Sequence, residues 1–277
     1  MIDLHLHTRA SDGAFEPPEL VRRLWLAGIR TFSVTDHDTV AGIAAAAAAA
    51  AQYGMDCVPG IEITAIDDGR DVHVLGYFID PGSPALADFL ASGRAERVSR
   101  ARELAARLEA LGMPIDVDRI ISDTPEGRAV GRPLVAQALV RAGFVQSIAE
   151  AFDRWIGEGR PAFVARTGPA PERVIERIHE AGGLASVAHP GTLRRDDLVE
   201  RLAPRGLDAL EVYHSDHDEP STARYRELAS RLGLLVTGGS DYHREEDDEA
   251  ALGRVTLPTD AFKLLVDRAE SRSKRKA

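Results

Sequence analysis

The chain has 277 residues, of which 44% are hydrophobic and 28% charged, and its formal net charge is −10. This length and composition are those of an ordinary globular protein with one large α/β domain, with or without an insertion. The acidic balance argues against a general basic surface for duplex DNA, so a polyanion would have to be held locally, by a metal ion or by clustered arginines.

Short runs rich in valine, isoleucine and leucine alternate with stretches of helical period. A helix is predicted in PPELVRRLWLAG, near the prolines that open it, and another in the alanine-rich segment 44–51. The alternation indicates parallel strands with crossover helices, and the number of strands suggests a barrel. Seven runs predict the strands: IDLHLH, TFSVTDHD, CVPGIEIT, DVHVLGYFI, LASVAHP, DALEVYH and LLVTGGSDYH.

The strand pattern stops between residues 81 and 163, where helical segments such as RPLVAQALVRAGF and SIAEAFDRWIGEG follow one another. We therefore predict an α/β fold in which residues 1–80 and 164–277 form the barrel and residues 81–163 form an inserted helical cap.

Cys57 is the single cysteine, which excludes an intramolecular disulfide and favours a reducing compartment. The chain starts with a charged strand rather than a signal-peptide pattern, and no stretch approaches the roughly 18 apolar residues of a membrane span. We predict a cytoplasmic protein with no membrane association and no obligate protein partner.

The first strand carries His5 and His7, and Asp12 follows closely. Side chains alternate faces along a strand, so the two imidazoles point to the same side. A lone pair of this kind is more often two polar residues on an exposed strand face, so its meaning depends on the other strands.

Eight of the nine histidines lie on or just after a predicted strand, and only His179 lies within a predicted helix. Because a β/α barrel gathers the ends of its strands on one rim, these side chains are predicted to meet there. The candidate metal ligands at the strand ends are His5, His7, Asp12, His37, Glu62, His73, His189, Asp241 and His243.

Imidazole and carboxylate ligands without thiolate favour Mn, Fe or Zn. Nine ligands are too many for one ion, so two or three divalent ions are predicted, Mn first, with Glu62 as a bridging carboxylate. Two ions about 3.5 to 4 Å apart can activate a water and clamp the oxygens of a displacement at phosphorus. The predicted chemistry is hydrolysis of a phosphate ester by a metal-bridging hydroxide.

The motifs DLHLHTRASDG, TDHDT, GIEIT, VHVLGYFI, VAHPG and GSDYH resemble those of the PHP (polymerase and histidinol phosphatase) superfamily, in this order from residue 3 to residue 243. They are most similar to its branch of nucleotide phosphoesterases. The resemblance implies a distorted, TIM-like barrel of seven strands with a trinuclear metal centre, and it makes the same nine residues the metal ligands.

The resemblance also implies roles beside the metal ions. Asp36 would orient a ligand histidine or a loop, and Asp12 and His217 complete the predicted catalytic set. His214 is a candidate for binding substrate, although small polar residues are common at its position.

Four arginines are further candidates for binding substrate. Arg97 and Arg100 lie three apart on one helix face of the cap, where two guanidiniums can grip a second phosphate. Without the resemblance, a solvated helix face is the plainer interpretation. Arg132 matches a cap arginine of the branch, and Arg166 is a weaker candidate.

The chain departs from the branch at Leu134, in GRPL, where many relatives have a histidine. The substrate is predicted to be a nucleoside 3',5'-bisphosphate, which would lose its 3'-phosphate, or a short 5'-phosphorylated RNA. A histidinol-phosphate phosphatase is the alternative enzyme, hydrolysis of a C–N bond is less favoured, and a noncatalytic PHP module would lack ligands that this chain has.

Overall fold

Seven strands lie side by side in the order in which they occur along the chain. The computed structural model describes residues 1–124, 130–243 and 252–276. A parallel bridge between Leu6 and Tyr242 brings the first and last strands together, so the sheet nearly closes into the predicted barrel. The strands are β1 (Ile2–Asp3), β2 (Thr31–Val34), β3 (Asp56–Asp67), β4 (Arg70–Tyr77), β5 (Leu184–Val187), β6 (Ala209–Tyr213) and β7 (Leu235–Gly238).

Helices surround the barrel and fill the segment between β4 and β5. Among the described residues they are α1 (Pro17–Leu26), α2 (Ile43–Tyr53), α3 (Pro84–Ala110), α4 (Val117–Asp123), α5 (Arg132–Arg141), α6 (Ile148–Ala151), α7 (Pro171–Glu180), α8 (Pro190–Leu193), α9 (Asp196–Leu202), α10 (Glu219–Leu232) and α11 (Thr259–Lys276). In α7, Pro171 begins the helix, and Val174 and Ile178 are buried on the face that packs against the barrel. None of the described helices is both long and apolar enough to cross a bilayer.

β4 runs antiparallel to β3 and β5, whereas the other neighbouring strands are parallel. The expectation of parallel strands is therefore wrong at β4. Asp68 and Gly69 have φ angles of 50° and 74°, which permit a two-residue hairpin turn in place of a crossover helix. His73 pairs with Thr64 near the start of β4, so it reaches the same rim as the ends of the parallel strands.

The helices between β4 and α7 have an apolar core of their own. α3 starts on the barrel, where Leu86 and Leu90 join the main core. Its second half leaves the barrel, and Leu104 and Leu108 pack with Leu139 and other residues of the inserted segment. This change of partner along one helix agrees with a cap, and the boundaries at residues 81 and 163 remain a prediction.

The barrel closes where the segment after β1 meets the segment after β7. The amide of His7 donates to Tyr242 O at 3.1 Å, and the amide of Asp241 donates to His5 O at 2.8 Å. Gly239 permits this approach, because a Cβ atom there would lie 2.2 Å from the backbone nitrogen of His5. The first and last strands therefore bring their polar residues to one place.

Candidate metal centre

Glu62 lies at the centre of a ring of five imidazoles. One carboxylate oxygen, Oε2, faces the rings of His5, His7 and His37, and the other, Oε1, faces the rings of His73 and His189. The nitrogen–oxygen distances range from 2.8 to 3.3 Å. Glu62, His5 and His7 are fully buried, whereas the rings of His37, His73 and His189 are partly exposed.

Asp241 faces the same imidazoles from the end of β7. Its Oδ1 lies 3.1 Å from Nε2 of His5 and 3.0 Å from Nε2 of His7, and its Oδ2 lies 3.3 Å from Nε2 of His214. Its backbone has a φ of 52°, and that of His189 has a φ of 28°. Strained backbone at two residues of one cluster is a common property of functional sites.

Asp12 lies on the exposed side of the cluster. Its carboxylate is 3.3 Å from Nε2 of His243 and 3.6 and 3.8 Å from ring nitrogens of His7 and His37. The structure therefore brings all nine predicted ligands to one rim of the barrel.

Asp36 holds the loop that carries Asp12. It accepts hydrogen bonds from the backbone amide and hydroxyl of Thr8 and from the hydroxyl of Ser11, each at 2.7 Å. Both oxygens are occupied and the side chain is buried. This position suits orientation of a loop rather than contact with a substrate.

His217 lies behind the loop that follows β5. Its Nδ1 donates to Val212 O at 2.8 Å, and its Nε2 accepts from the amide of Gly191 at 3.1 Å. Burial lowers the pKa of His217, which agrees with a neutral ring holding two backbone groups. Both ring nitrogens of this predicted catalytic residue therefore bind backbone groups, so His217 stabilises the neighbouring loops.

Glu211, on β6, is a residue of the site that the sequence motifs did not single out. Its Oε1 accepts from Nδ1 of His5 at 2.9 Å, and its Oε2 accepts from the amide of His189 at 2.7 Å. The one signal in the sequence was a glutamate inside the apolar run ALEVY, because a buried carboxylate requires a partner. Glu211 lies behind His5, on the side away from Glu62.

The charges of these groups shift one another's pKa values. Burial raises the pKa of Glu62, but His37, His73 and other histidines outweigh it, so the pKa lies well below its ordinary value. Burial lowers the pKa of His5, but the surrounding carboxylates raise it well above the ordinary value. Burial also dominates at His37, where the pKa falls to about 4.

The donors have the composition of a site for divalent metal ions. Four groups of three or four of these residues have ligand atoms within 4.8 Å of one another. Both ring nitrogens of His7, Nδ1 of His73 and Oδ1 of Asp241 are buried and close to oppositely charged groups, but none of them makes a hydrogen bond of regular geometry among the described residues. Imidazole and carboxylate donors that face each other in this way fit Mn, Fe or Zn.

A cavity of about 280 Å³ opens next to the cluster, and we call it the metal-side cavity. Asp12, His37 and His73 line one wall. Arg97 and Arg166 line another, and Leu134 on α5 also lines this space.

The four predicted substrate-binding arginines lie close together in the cap and beside it. Arg97 forms an ion pair with Asp38, and Arg166 forms one with Asp71. Arg100 donates two hydrogen bonds to Val164 O, at 2.9 and 3.1 Å.

The side chain of Arg132 lies over the rings of Phe152 and Phe163. Burial, the charges of Arg132 and Arg166, and that of Arg97 lower the pKa of Arg100 to about 10. Burial is the largest of these causes and the neighbouring guanidinium charges add to it, so an anion among these side chains would be stabilised.

Comparisons with known proteins agree with this geometry. The PHP domain family model matches residues 3–129. A 3',5'-nucleoside bisphosphate phosphatase from Chromobacterium violaceum is 36% identical, over 87% of each chain. A 5'-3' exoribonuclease from Haemophilus influenzae is 34% identical, over 87% of this chain and 89% of its own. A solved structure from Bifidobacterium adolescentis, described as a metal-dependent phosphoesterase, is similar over 96% of both chains, with 32% identity and a TM-score of 0.80.

Proposed function

This chain belongs to the PHP domain family of metal-dependent phosphoesterases, and we propose that it acts on nucleoside 3',5'-bisphosphates and on short RNA with a 5'-phosphate. The observation that carries this choice is the cluster of arginines beside the metal-side cavity. Arg97 and Arg166 line the same space as Asp12, His37 and His73. A substrate with one phosphate at the imidazoles and a second phosphate at the arginines would place a negative charge at each of these two groups.

The nine predicted ligands, from His5 to His243, would hold two or three divalent ions. When bound, such ions lower the pKa of a water and neutralise phosphoryl oxygens. Glu62 has one oxygen directed to each of two groups of imidazoles, which suits a bridging carboxylate.

The surrounding residues would keep this set in place. Nδ1 of His5 donates a hydrogen bond to Glu211, which directs Nε2 of the same ring toward Glu62. Asp36 fixes the loop of Asp12 through Thr8 and Ser11.

The arginines would select substrates that carry a second phosphate at a suitable distance from the first. Arg97 and Arg100 present guanidiniums on one face of α3, and Arg132 lies close enough to Arg100 to lower the pKa of that residue. A monophosphate can occupy the metal centre alone, whereas a bisphosphate binds at both places. The 3'-phosphate would be hydrolysed and the 5'-phosphate retained on the arginines.

Histidinol phosphate is not favoured as the substrate. It carries one phosphate and a positively charged amine, and this amine would lie against a group of arginines. Two of the relatives are named for nucleotide or RNA substrates, as a 3',5'-nucleoside bisphosphate phosphatase and a 5'-3' exoribonuclease.

The test is phosphate release by Mn-loaded protein from adenosine 3',5'-bisphosphate, histidinol phosphate and AMP, and nucleotide release from a 5'-phosphorylated RNA. Chelated protein is the blank. We expect the bisphosphate or the RNA to be preferred over AMP and histidinol phosphate by more than tenfold in kcat/KM.

The double variant R97M/R100M tests the arginines. It should lose most of the preference for bisphosphate over AMP, because loss of two charge-assisted contacts costs roughly 3 kcal/mol or more. R102M is the matched control, since Arg102 lies on the same helix and forms an exposed ion pair with Asp118. An unchanged preference in R97M/R100M would refute the two-phosphate arrangement.

A further inference from the structure

A second cavity, of about 290 Å³, lies on the other side of the arginines, and we call it the distal cleft. Thr64, Arg97 and Arg166 line both cavities, so these residues form the boundary between them. Its size is close to the lower end of the range for small-molecule pockets. The metal ligands do not account for it, because the described residues that line it include none of the nine.

The distal cleft has one charged end and one apolar end. Arg97 and Arg166, which also line the metal-side cavity, form the charged end with Arg100, and the carboxylates of Asp38, which pairs with Arg97, and Glu96 lie among them. Ile66, Phe89 and Leu90 line the apolar part. This combination fits a ligand that has a phosphate at one end and a flat apolar group at the other.

One face of α3 contributes to both the apolar part and the charged part of the distal cleft. Phe89, Gly93 and Arg97 are spaced four residues apart, so they lie along the same side of the helix. Successive members are about 6 Å apart along the axis. A nucleotide with its 5'-phosphate at Arg97 therefore has an aromatic side chain about 12 Å along the helix from that phosphate.

We propose that the distal cleft binds the nucleobase of the substrate, while the 5'-phosphate lies on the arginines. This proposal rests on the proposed function and adds the base to it. Among the described residues that line the two cavities, Phe89 carries the one phenyl ring. Stacking of a base on an aromatic side chain contributes about 1 to 3 kcal/mol and accepts any base.

The metal-side cavity is the rival position for the base. It contains Leu134 and Gln137, but it also has to hold the reacting phosphate and the ribose within about 280 Å³. The distal cleft would have to hold neither the reacting phosphate nor the ribose.

Gly93 leaves room in the distal cleft and offers a clean way to fill it. A Cβ atom at this position would meet no heavy atom within 4 Å. Glycine inside a helix is about 1 kcal/mol less favourable than alanine, so a larger residue here strengthens α3 rather than weakening it. G93L should therefore fold, and its side chain should occupy space that the base would use.

The experiment compares 2'-deoxyadenosine 3',5'-bisphosphate with the abasic 1,2-dideoxyribose 3,5-bisphosphate, which has the same sugar hydroxyls and both phosphates but no base. In the wild type, kcat/KM for the nucleotide should exceed that for the abasic compound by at least tenfold. G93L should lower kcat/KM for the nucleotide at least tenfold through KM, and it should change the abasic value less than twofold. G93A, which fills less of the cleft, should have a smaller effect in the same direction.

F89L is the second variant, because it removes the ring and keeps an apolar side chain. It should lower the preference for the nucleotide at least fivefold, whereas Q137L, in the metal-side cavity, should leave it unchanged. A preference that survives both G93L and F89L, or that falls in Q137L alone, would overturn the assignment of the distal cleft. Loss of activity on both substrates in G93L would also overturn it. If the Mn-loaded wild type releases phosphate from neither compound, the proposed function itself is refuted, which is a distinguishable result.

Discussion

Nδ1 of His5 lies 2.9 Å from Oε1 of Glu211, and both side chains are fully buried. The opposite nitrogen of the same ring faces Glu62 and Asp241 at 3.2 and 3.1 Å. His5 is therefore held between a carboxylate behind it and two carboxylates in front. A histidine that binds a metal ion commonly donates its other nitrogen to such a carboxylate, which fixes the ring and its tautomer.

We expect E211Q to weaken metal binding by about 10- to 100-fold, the usual effect of removing such a partner. The amide of His189 also donates to Glu211, and a glutamine can accept only one of the two hydrogen bonds. The measurement is Mn²⁺ affinity by competition with a chelator, together with kcat at saturating Mn²⁺. E227Q, an exposed substitution on α10, is the control. An affinity within twofold of the wild type would contradict a positioning role for Glu211.

E62Q should have a larger effect. Among the described residues, Glu62 is the one carboxylate that faces His5, His7, His37, His73 and His189. Replacing its charge removes the shared partner of two groups of imidazoles, so we expect metal content to fall by at least one ion per chain and kcat to fall more than 100-fold. Metal analysis after gel filtration, with circular dichroism to check the fold, measures this. Full metal content would show that Glu62 is not a ligand.

L134H restores the histidine that the resemblance to PHP nucleotide phosphoesterases leads one to expect. Leu134 is half-buried and lines the metal-side cavity. A protonated histidine there could donate to a phosphate, so we expect KM for the bisphosphate to fall about tenfold at pH 6. This gain should disappear above about pH 7.5, where the imidazole is neutral. L134Q separates charge from polarity, and an equal gain in both variants would argue against a charged contact.

Burial raises the pKa of the Cys57 thiol to about 11. A cysteine in an unfolded chain has a pKa of about 8.5, so at pH 8.5 the folded protein should have about 100-fold less thiolate. We expect iodoacetamide to react about 100-fold more slowly with the native protein than with protein in urea. The native rate should rise as the pH is increased toward 11. Equal rates in both states would show that the thiol is not shielded.

The sequence was sufficient to locate the seven strands and the run of helices between β4 and β5, because apolar runs and helical period depend on local composition. The direction of β4 was missed although the chain contains its turn, DDGR, in which Asp68 and Gly69 both adopt positive φ. An Asp-Gly pair between two alternating runs predicts a hairpin. The regular strand–helix rhythm elsewhere favoured the wrong connection.

The histidines of the site could be predicted because most of them lie in short motifs at strand ends. Glu211 could not, since a single glutamate in an apolar strand gains its meaning only from a partner 206 residues away. The ion pair of Arg97 with Asp38, 59 residues away, depends in the same way on how the cap folds over the rim. Long-range pairings of this kind leave no local pattern.

The closure of the barrel has a consequence for the order in which the protein matures. His5 and His7 leave the ribosome long before Asp241 and His243. These two pairs lie on opposite sides of the place where the first and last strands meet. Until β7 is added, β1 has a neighbour on one side only, β2, and the imidazoles lack Asp241. Since domains begin to fold during synthesis, the nascent chain passes through a stage with a nearly complete sheet and an incomplete set of donors. Firm retention of metal should therefore appear only in nascent chains in which residues up to 243 have been exposed.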